Sequence, residues 1–382
     1  MKIIFTGGGS GGHVVPIIAV VREIRRLYPH KNLDFYYFGP KDEFGEIFLS
    51  HEEIKIRNIS AGKIRRYTSL SSFFGNFIDV FFKIPLGIID AFFSMFFLGP
   101  DLIFSKGGYG SIPTVIAAKL LFIPIFVHES DVVPGAANKF ASKLTKQILV
   151  SFPRTEYFHM DKMIVVGNPI RREVLEGTKE EANEMFKLNF NRPVLLILGG
   201  SQGAQRINDK LLELLPTLLE NFEIILQCGE NNYKEVRAEA KVTIEKFRSL
   251  ESAFHLYPFL KENEIKQAYG VADFIVSRAG AGTIFEIAAN AKPSILVPLP
   301  ESAQNHQVKN AYAYGENGAC MVMEENNFTV RFFLEKLRFL FANPQELEKM
   351  RKAAKEFSKP LAAKIIAERI LRHLMKKYSR KK

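Results

Sequence analysis

The 382-residue chain is predicted to be an α/β protein of two Rossmann-like, doubly wound parallel-sheet domains, and three features predict it. Short apolar runs of strand length recur, each followed by a turn and then a helical pattern. Those runs are apolar throughout rather than alternating, the mark of strands covered on both faces and hence of a parallel sheet. The second half of the chain also repeats a motif of the first.

KIIFTG opens the chain as a strand, and the glycine run of GGGSGGH separates it from a helix in VVPIIAVVREI. LDFYYFG, DLIFSKGG, IPIFVHES and KQILVSF follow as further strands of the first half. Gly167 and Pro169 interrupt the pattern in VVGNPIRREV, which places the boundary between a first domain, 1–166, and a second, 167–357. VLLILGG, FEIILQCG, FIVSRAG and PSILVPLP are strands of the second half. Ser105-Lys106-Gly107-Gly108-Tyr109-Gly110-Ser111 matches Ser277-Arg278-Ala279-Gly280-Ala281-Gly282-Thr283 in residue type, position by position. Each half also begins with its own strand and glycine turn, TGGGSGGH and LGGSQGAQ. Two similar domains facing one another across a cleft, with ligand at the carboxyl ends of the strands, is the economical arrangement.

Composition narrows the function. The formal charge is +11, but residues 350–382 hold twelve Lys or Arg against two Glu, so the rest of the chain is close to neutral. A basic tail suits anionic lipid and nucleic acid equally well electrostatically, and a solvated terminus besides, so charge alone does not choose among them; no nucleic-acid partner is expected. Cys228 and Cys320 are the two cysteines, without metal-site spacing, as in a reducing compartment. Only three apolar residues separate Lys2 from Thr6 and the glycines, so no secretory leader is expected.

The turns carry the chemistry. Gly7-x-Gly9-x-x-Gly12 formally satisfies the dinucleotide fingerprint, yet Asp34 stands at the start of the second strand, where it cannot hold a ribose, and no GxxxxGK[ST] is present. Instead there are four glycine turns at strand ends, each opening a helix whose first amides can bind negative charge, with Lys106, Arg171 and Arg278 near in sequence. GGSQG can set bare amides and the Ser201 hydroxyl against a diphosphate, and Glu286, one helical turn after Thr283, can accept two hydrogen bonds from a ribose diol. A nucleoside diphosphate is the natural occupant. In the first half His13, in the first helical turn, and the segment His128 to Asp131 offer proton-transfer groups. A helix-capping role for His13 and an ion-paired Glu129 remain equally open readings.

Taken together, GGGSGGHVVP, SKGGYGSIP, HESDVVPGAAN, VGNPIR, GGSQGAQRIN, RAGAGTIFEIA and HQVKNA, spread in order from Thr6 to Ala311, resemble the MurG family of bacterial peptidoglycan glycosyltransferases. The resemblance implies the glycosyltransferase B fold, with a C-terminal helix at about 358–382 packing back on the first domain. It implies transfer of N-acetylglucosamine from UDP-N-acetylglucosamine to the 4-hydroxyl of the muramyl sugar of undecaprenyl-linked lipid I, forming lipid II, with inversion and with neither metal nor cofactor. It further implies a peripheral place on the cytoplasmic face of the membrane and contact with other cell-wall synthesis proteins. Carried onto this chain, the family's donor site falls on Ser10, Gly11, Gly12, Asp131, Arg171, Ser201, the backbone at Leu260, Ala281, Gly282, Thr283, Glu286, His306 and Gln307. The acceptor side falls on Ser10, His13 and Tyr109, with His13 as base and Glu129 as the second catalytic candidate. Asp131 and His306 depart from the family, which has asparagine and glutamine there.

Residues 71–100 form the most hydrophobic stretch of the chain. Asp79, Lys83 and Asp90 within it, and a break at Pro85, argue against a membrane-spanning helix. The expectation is a pair of helices that covers the first sheet while presenting Phe77 and Phe81, beside Lys63, Arg65 and Arg66, to an anionic membrane surface.

Overall fold

A computed structural model of the chain describes residues 1–8, 11–29, 32–63, 70–153, 157–200 and 203–379. They fall into two units, Met1–Arg171 with Leu361–Lys382, and Arg172–Pro360. The division lies at Arg171–Arg172, beyond the 166/167 boundary expected from sequence. The GNPIR segment belongs to the first unit: Gly167 N–H donates to the Val150 carbonyl (3.3 Å), and Ser130 Oγ donates to Asn168 Oδ1 (2.8 Å).

The first unit runs β1 (Lys2–Thr6), α1 (Gly11–Leu27), β2 (Asp34–Gly39), α2 (Glu43–His51), β3 (Lys55–Asn58), α3 (Leu70–Ile78), α4 (Ile84–Leu98), β4 (Leu102–Ser105), α5 (Ile112–Leu120), β5 (Ile125–Glu129), α6 (Ala136–Ala141), β6 (Gln147–Val150) and β7 (Met163–Val165). Its strands form one sheet in the order β3-β2-β1-β4-β5-β6-β7, every pair parallel. Both faces are covered, as the apolar runs require: Ile3 and Phe5 pack toward α1, and Ile4 toward α4 and α5. The order reverses between β1 and β4, where Thr6 lies level with Ser105, and a ligand crevice is expected outside the strand ends there. Asp34, at the opposite end of β2, is paired with Lys55 at 2.8 Å.

The second unit contains α7 (Lys179–Phe186), β8 (Val194–Leu198), α8 (Gln205–Asn221), β9 (Glu223–Gln227), α9 (Tyr233–Lys246), β10 (Phe254–Tyr257), α10 (Glu262–Val271), β11 (Phe274–Ser277), α11 (Ala281–Ala289), β12 (Ser294–Leu296), α12 (His306–Gly315), β13 (Cys320–Val322), α13 (Val330–Ala342) and α14 (Pro344–Phe357). Its sheet has the order β10-β9-β8-β11-β12-β13, again parallel throughout. β8 and β11 therefore occupy the places that β1 and β4 hold in the first sheet, and the sequence repeat marks equivalent turns.

The chain then returns to the first unit as α15 (Ala362–Ser379), whose Ile366, Ile370 and Leu374 share a core with Ile17, Val20 and Ile24 of α1. Lys377 Nζ and Tyr378 Oη both donate to the Asp101 carboxylate (2.7 and 3.0 Å), so the basic helix is pinned rather than frayed.

The hydrophobic stretch differs from expectation. Pro85 does not break it: α3 and α4 join through a π turn at Asp79–Lys83, in which Ile84 N–H reaches back to the Asp79 carbonyl. Pro85, without an N–H, follows where the bonding pattern is already shifted, so it costs the helix little. Nor is the helical run mainly buried. Gly87, Ala91 and Met95 make a stripe one residue wide on the inner side of α4, while Phe73, Phe74, Phe77, Phe81, Phe82 and Phe97 are exposed.

Candidate active site

In the first unit the glycine turns after β1 and β4 lie against each other. Gly108 has φ +79°, and a Cβ there would stand 2.8 Å from Gly8 N and 3.0 Å from His13 Nε2. A Cβ on Gly8 would lie 3.1 Å from His13 Cε1 and Nδ1. The glycines thus let the His13 ring rest beside two backbones at once, which no residue with a side chain would permit. Tyr37 Oη props the same loop by donating to the Gly8 carbonyl at 3.3 Å. Burial and the nearby Lys106 push the His13 imidazole down to about 4, so it is neutral near pH 7 and able to accept a proton. Its place in the first turn of α1 works in the same direction. Gly11 and Gly12 begin that helix, and a Cβ on Gly12 would touch nothing within 4 Å, so its amino terminus is open. Ser10 lies outside the described residues. Tyr109, half-buried, follows Gly108 in a 3-10 turn.

Behind these loops is a buried polar cluster. Lys106 Nζ donates to His128 Nδ1 at 2.9 Å and to Ser130 Oγ, which makes Nδ1 the acceptor. His128 Nε2 then carries the proton and donates to the Gly167 carbonyl at 3.0 Å. His128 is therefore a neutral bridge between β5 and the GNPIR segment, its pKa pushed down by burial and Lys106. Glu129, proposed from sequence as a second catalytic group, accepts from Asp131 N (3.0 Å), Gly135 N (3.2 Å) and Asn138 Nδ2 (2.8 Å). Burial and Asp131 raise its pKa, against the pull of these donors and Lys106. The three donors tie this buried carboxylate to the Asp131–Gly135 loop and to Asn138. Asp131 is half-buried beside it, and Arg171 is buried at the end of the GNPIR segment.

In the second unit the turns after β8 and β11 are neighbours, with Ser277 level with Leu198. Gly200 takes φ +79° with open space where a Cβ would be, so its backbone is accessible to a ligand. Ser201 lies outside the described residues. Ala281, Gly282 and Thr283 form the first turn of α11; no side chain caps it, and a Cβ on Gly280 would meet nothing within 4 Å. Glu286, one turn on, is half-buried and accepts a hydrogen bond from the fully buried Tyr269 of α10 at 3.0 Å. Leu260 is buried, its N–H donated to Gln227 Oε1 at 3.0 Å.

His306 and Gln307 open α12 after two consecutive left-handed residues, Gln304 (φ 58°) and Asn305 (φ 55°). His306 Nδ1 lies 2.8 Å from the Ala303 carbonyl, which fixes the proton on Nδ1 and leaves Nε2 as an acceptor. Gln307 Oε1 accepts from Leu299 N at 3.0 Å, turning its amide donors away from that bond. Asn310 Nδ2 ties α12 to the Ala279 carbonyl at 3.4 Å. Arg278, one of the cations noted near the glycine turns, is directed elsewhere, to Glu325 Oε1 at 2.7 Å and the Val297 carbonyl at 3.2 Å. Sequence reasoning did not find Tyr37, Tyr269 or Gln227, whose partners are brought to them only by the tertiary fold. Among the described residues, no three His, Cys, Asp or Glu side chains converge as a metal site would require.

Residues 3–150 match the family model for the glycosyltransferase family 28 N-terminal domain, and residues 194–366 match that for the C-terminal domain. A Clostridium tetani protein named UDP-N-acetylglucosamine--N-acetylmuramyl-(pentapeptide) pyrophosphoryl-undecaprenol N-acetylglucosamine transferase is 36% identical over 347 residues, 90% of this chain and 91% of its own length. A Clostridium perfringens protein of the same name is likewise 36% identical over 347 residues, with the same coverage. The crystal structure of Acinetobacter baumannii MurG superposes with a TM-score of 0.71 at 25% identity, covering 97% of this chain and 99% of that one. A UDP-GlcNAc 2-epimerase from Neisseria meningitidis superposes at 0.66 with 19% identity, covering 97% and 100%, a likeness of fold alone.

Proposed function

The chain belongs to the MurG family within glycosyltransferase family 28, and on that premise we propose how its two units divide one reaction. The enzyme transfers N-acetylglucosamine from UDP-N-acetylglucosamine to the muramyl sugar of the undecaprenyl-diphosphate-linked acceptor, lipid I, and the product is lipid II.

One observation carries the division of labour: two sheets that share the same order over six strands present different chemistry at their switch points. At the second sheet, open helix amino termini and an anchored carboxylate suit a nucleoside diphosphate. At the first, a neutral imidazole stands beside open backbone. In the proposed reaction His13 takes the proton of the acceptor 4-hydroxyl as that oxygen bonds to the anomeric carbon. The bond from that carbon to the UDP oxygen breaks on the opposite side, so the configuration inverts. The amino termini of α8 and α11 stabilise the charge on the departing diphosphate, a task that in other enzymes falls to a metal ion. Glu286 holds the ribose, and His306 Nε2 with the Gln307 amide contacts the donor sugar.

The acceptor is membrane-bound, and we place the enzyme at the cytoplasmic membrane surface, docked through the outer side of α3 and α4. Phe73–Leu98 is long and apolar enough to cross a bilayer by length and composition, with a mean hydropathy of 1.8. It is nevertheless built into the first unit: a Cβ on Gly87 would lie 1.8 Å from the Ser60 carbonyl, so α4 is in backbone contact with the body of the unit. Docking by the outer face, not insertion, fits that packing.

The test is incubation of purified enzyme with UDP-N-acetylglucosamine and a short-chain lipid I analogue. Disaccharide product and stoichiometric UDP are expected. Epimerised sugar formed without acceptor, or no transfer with folded protein, overturns the reading.

A further inference from the structure

Four charged side chains that touch no proposed ligand join the parts of the second unit. Arg206 sits in the first turn of α8, directly after the GGSQGA loop. Its guanidinium donates from Nη2 to Glu301 Oε1 at 2.8 Å and from Nη1 to Glu325 Oε2 at 2.6 Å. The other oxygen of Glu325 accepts from Arg278 Nη2 at 2.7 Å. Arg278 lies in the turn that opens α11 and also holds the Val297 carbonyl, where the loop toward His306 departs from β12.

Glu325 is the centre of this arrangement. Its side chain is 8% exposed, and it comes from the short turn after β13, outside all three ligand-facing segments. Each of its oxygens holds one arginine, and each arginine stands beside a different glycine turn. Glu301 extends the link to the 297–305 loop, which must adopt two left-handed residues before α12 can begin. A loop so constrained has few ways to place His306 and Gln307, and its origin is set by these ion pairs.

We propose that Glu325 is a positioning residue for the donor sugar, fixing the loop that carries His306 and Gln307 relative to the two turns that hold the nucleotide. This rests on the assignment of those turns to UDP and of the loop to the sugar. Glu325 contacts no substrate. It acts through Arg206 and Arg278, and its loss displaces the sugar contacts while leaving the proposed uridine and ribose contacts at Leu260 and Glu286 in place.

The experiment measures the dissociation constants of UDP and of UDP-N-acetylglucosamine, with KM and kcat, for wild type, Glu325→Gln and Glu301→Gln. Glu301 is well exposed, so its variant folds even if that of the buried Glu325 does not. The expected result is a rise of roughly tenfold or more in the dissociation constant and KM for the sugar nucleotide, with UDP affinity changed less than about twofold, and a smaller effect in the same direction for Glu301→Gln. Equal weakening of UDP and sugar nucleotide, or no change in either, overturns the proposal. If Glu325→Gln does not fold, an unchanged ratio of the two constants in Glu301→Gln overturns it. Wild type that binds no UDP would instead refute the nucleotide assignment itself.

Discussion

The Tyr269 hydroxyl donates to Glu286 Oε2 at 3.0 Å, linking a fully buried phenol on α10 to a half-buried carboxylate on α11. The bond orients the carboxylate. Glu286→Ala is expected to weaken UDP binding by roughly 1.5–3 kcal/mol, the scale of hydrogen bonds to a charged group. Tyr269→Phe removes only the orienting bond and should cost about 1 kcal/mol. Titration calorimetry with UDP measures both, and unchanged affinity in folded Glu286→Ala removes this carboxylate from the ribose.

His13 is held neutral by burial and Lys106. If it is the base, His13→Ala lowers kcat by about two to four decades and leaves UDP affinity intact. The acid limb of kcat/KM should fall near pH 4 in wild type, the value of the free enzyme. Replacing Lys106 by Met removes a positive charge that opposes protonation, so the limb should move upward. Stability follows the same linkage. Between its ordinary pKa and about 4 the unfolded chain binds a proton that the folded imidazole refuses, so stability is lost as pH falls through that window. Urea melts of wild type against His13→Gln, from pH 7 to 4, measure it, and identical slopes would reject a depressed imidazole.

Much of this was legible in the sequence because it is local. Continuous apolar runs required a sheet covered on both faces, and the match of Ser105–Ser111 to Ser277–Thr283 marked turns that do hold the same place in two sheets. What sequence could not supply was pairing at a distance. Glu129 read as a possible catalyst, and the convergence of Asp131 N, Gly135 N and Asn138 on its carboxylate was not visible in the sequence. Pro85 read as a helix break because the π turn before it, where a buried Asp79 pairs with Lys83 at 2.7 Å, leaves no mark in the local pattern. Arg278 stood out only as a cation near a glycine turn, and its pairing with Glu325, far along the chain, could not be read from that position. Ser10, Ser201, Arg65 and Arg66 lie outside the described residues.

The proposed stabilisation of the leaving group by helix amino termini has a direct consequence for metal removal. Exhaustive dialysis against EDTA should leave kcat with UDP-N-acetylglucosamine unchanged, and added magnesium should not raise it. A loss of activity restored by a divalent cation would replace the amides of α8 and α11 with a metal in the mechanism.

Membrane docking makes the most exposed prediction, because the outer side of α3 and α4 is large. Phe77 and Phe81 are 48% and 63% exposed, their ring centroids 4.8 Å apart, so they present one continuous apolar surface. Placing an exposed phenylalanine in lipid contributes roughly 1.5–3 kcal/mol, and two of them are enough to decide whether a protein stays on a vesicle. Lys63, exposed just before this helical run, adds attraction to an anionic surface that salt screens. Phe77→Ser with Phe81→Ser should therefore lower binding to phosphatidylglycerol-containing vesicles by at least about tenfold. UDP affinity should be untouched, because the second unit is unaltered. Turnover should fall on acceptor embedded in vesicles but not on a soluble short-chain acceptor, since only the former requires docking. Raising salt should weaken wild-type binding, and Lys63→Glu should weaken it further. Vesicle binding that survives both the double substitution and Lys63→Glu would place the docking face elsewhere on the enzyme.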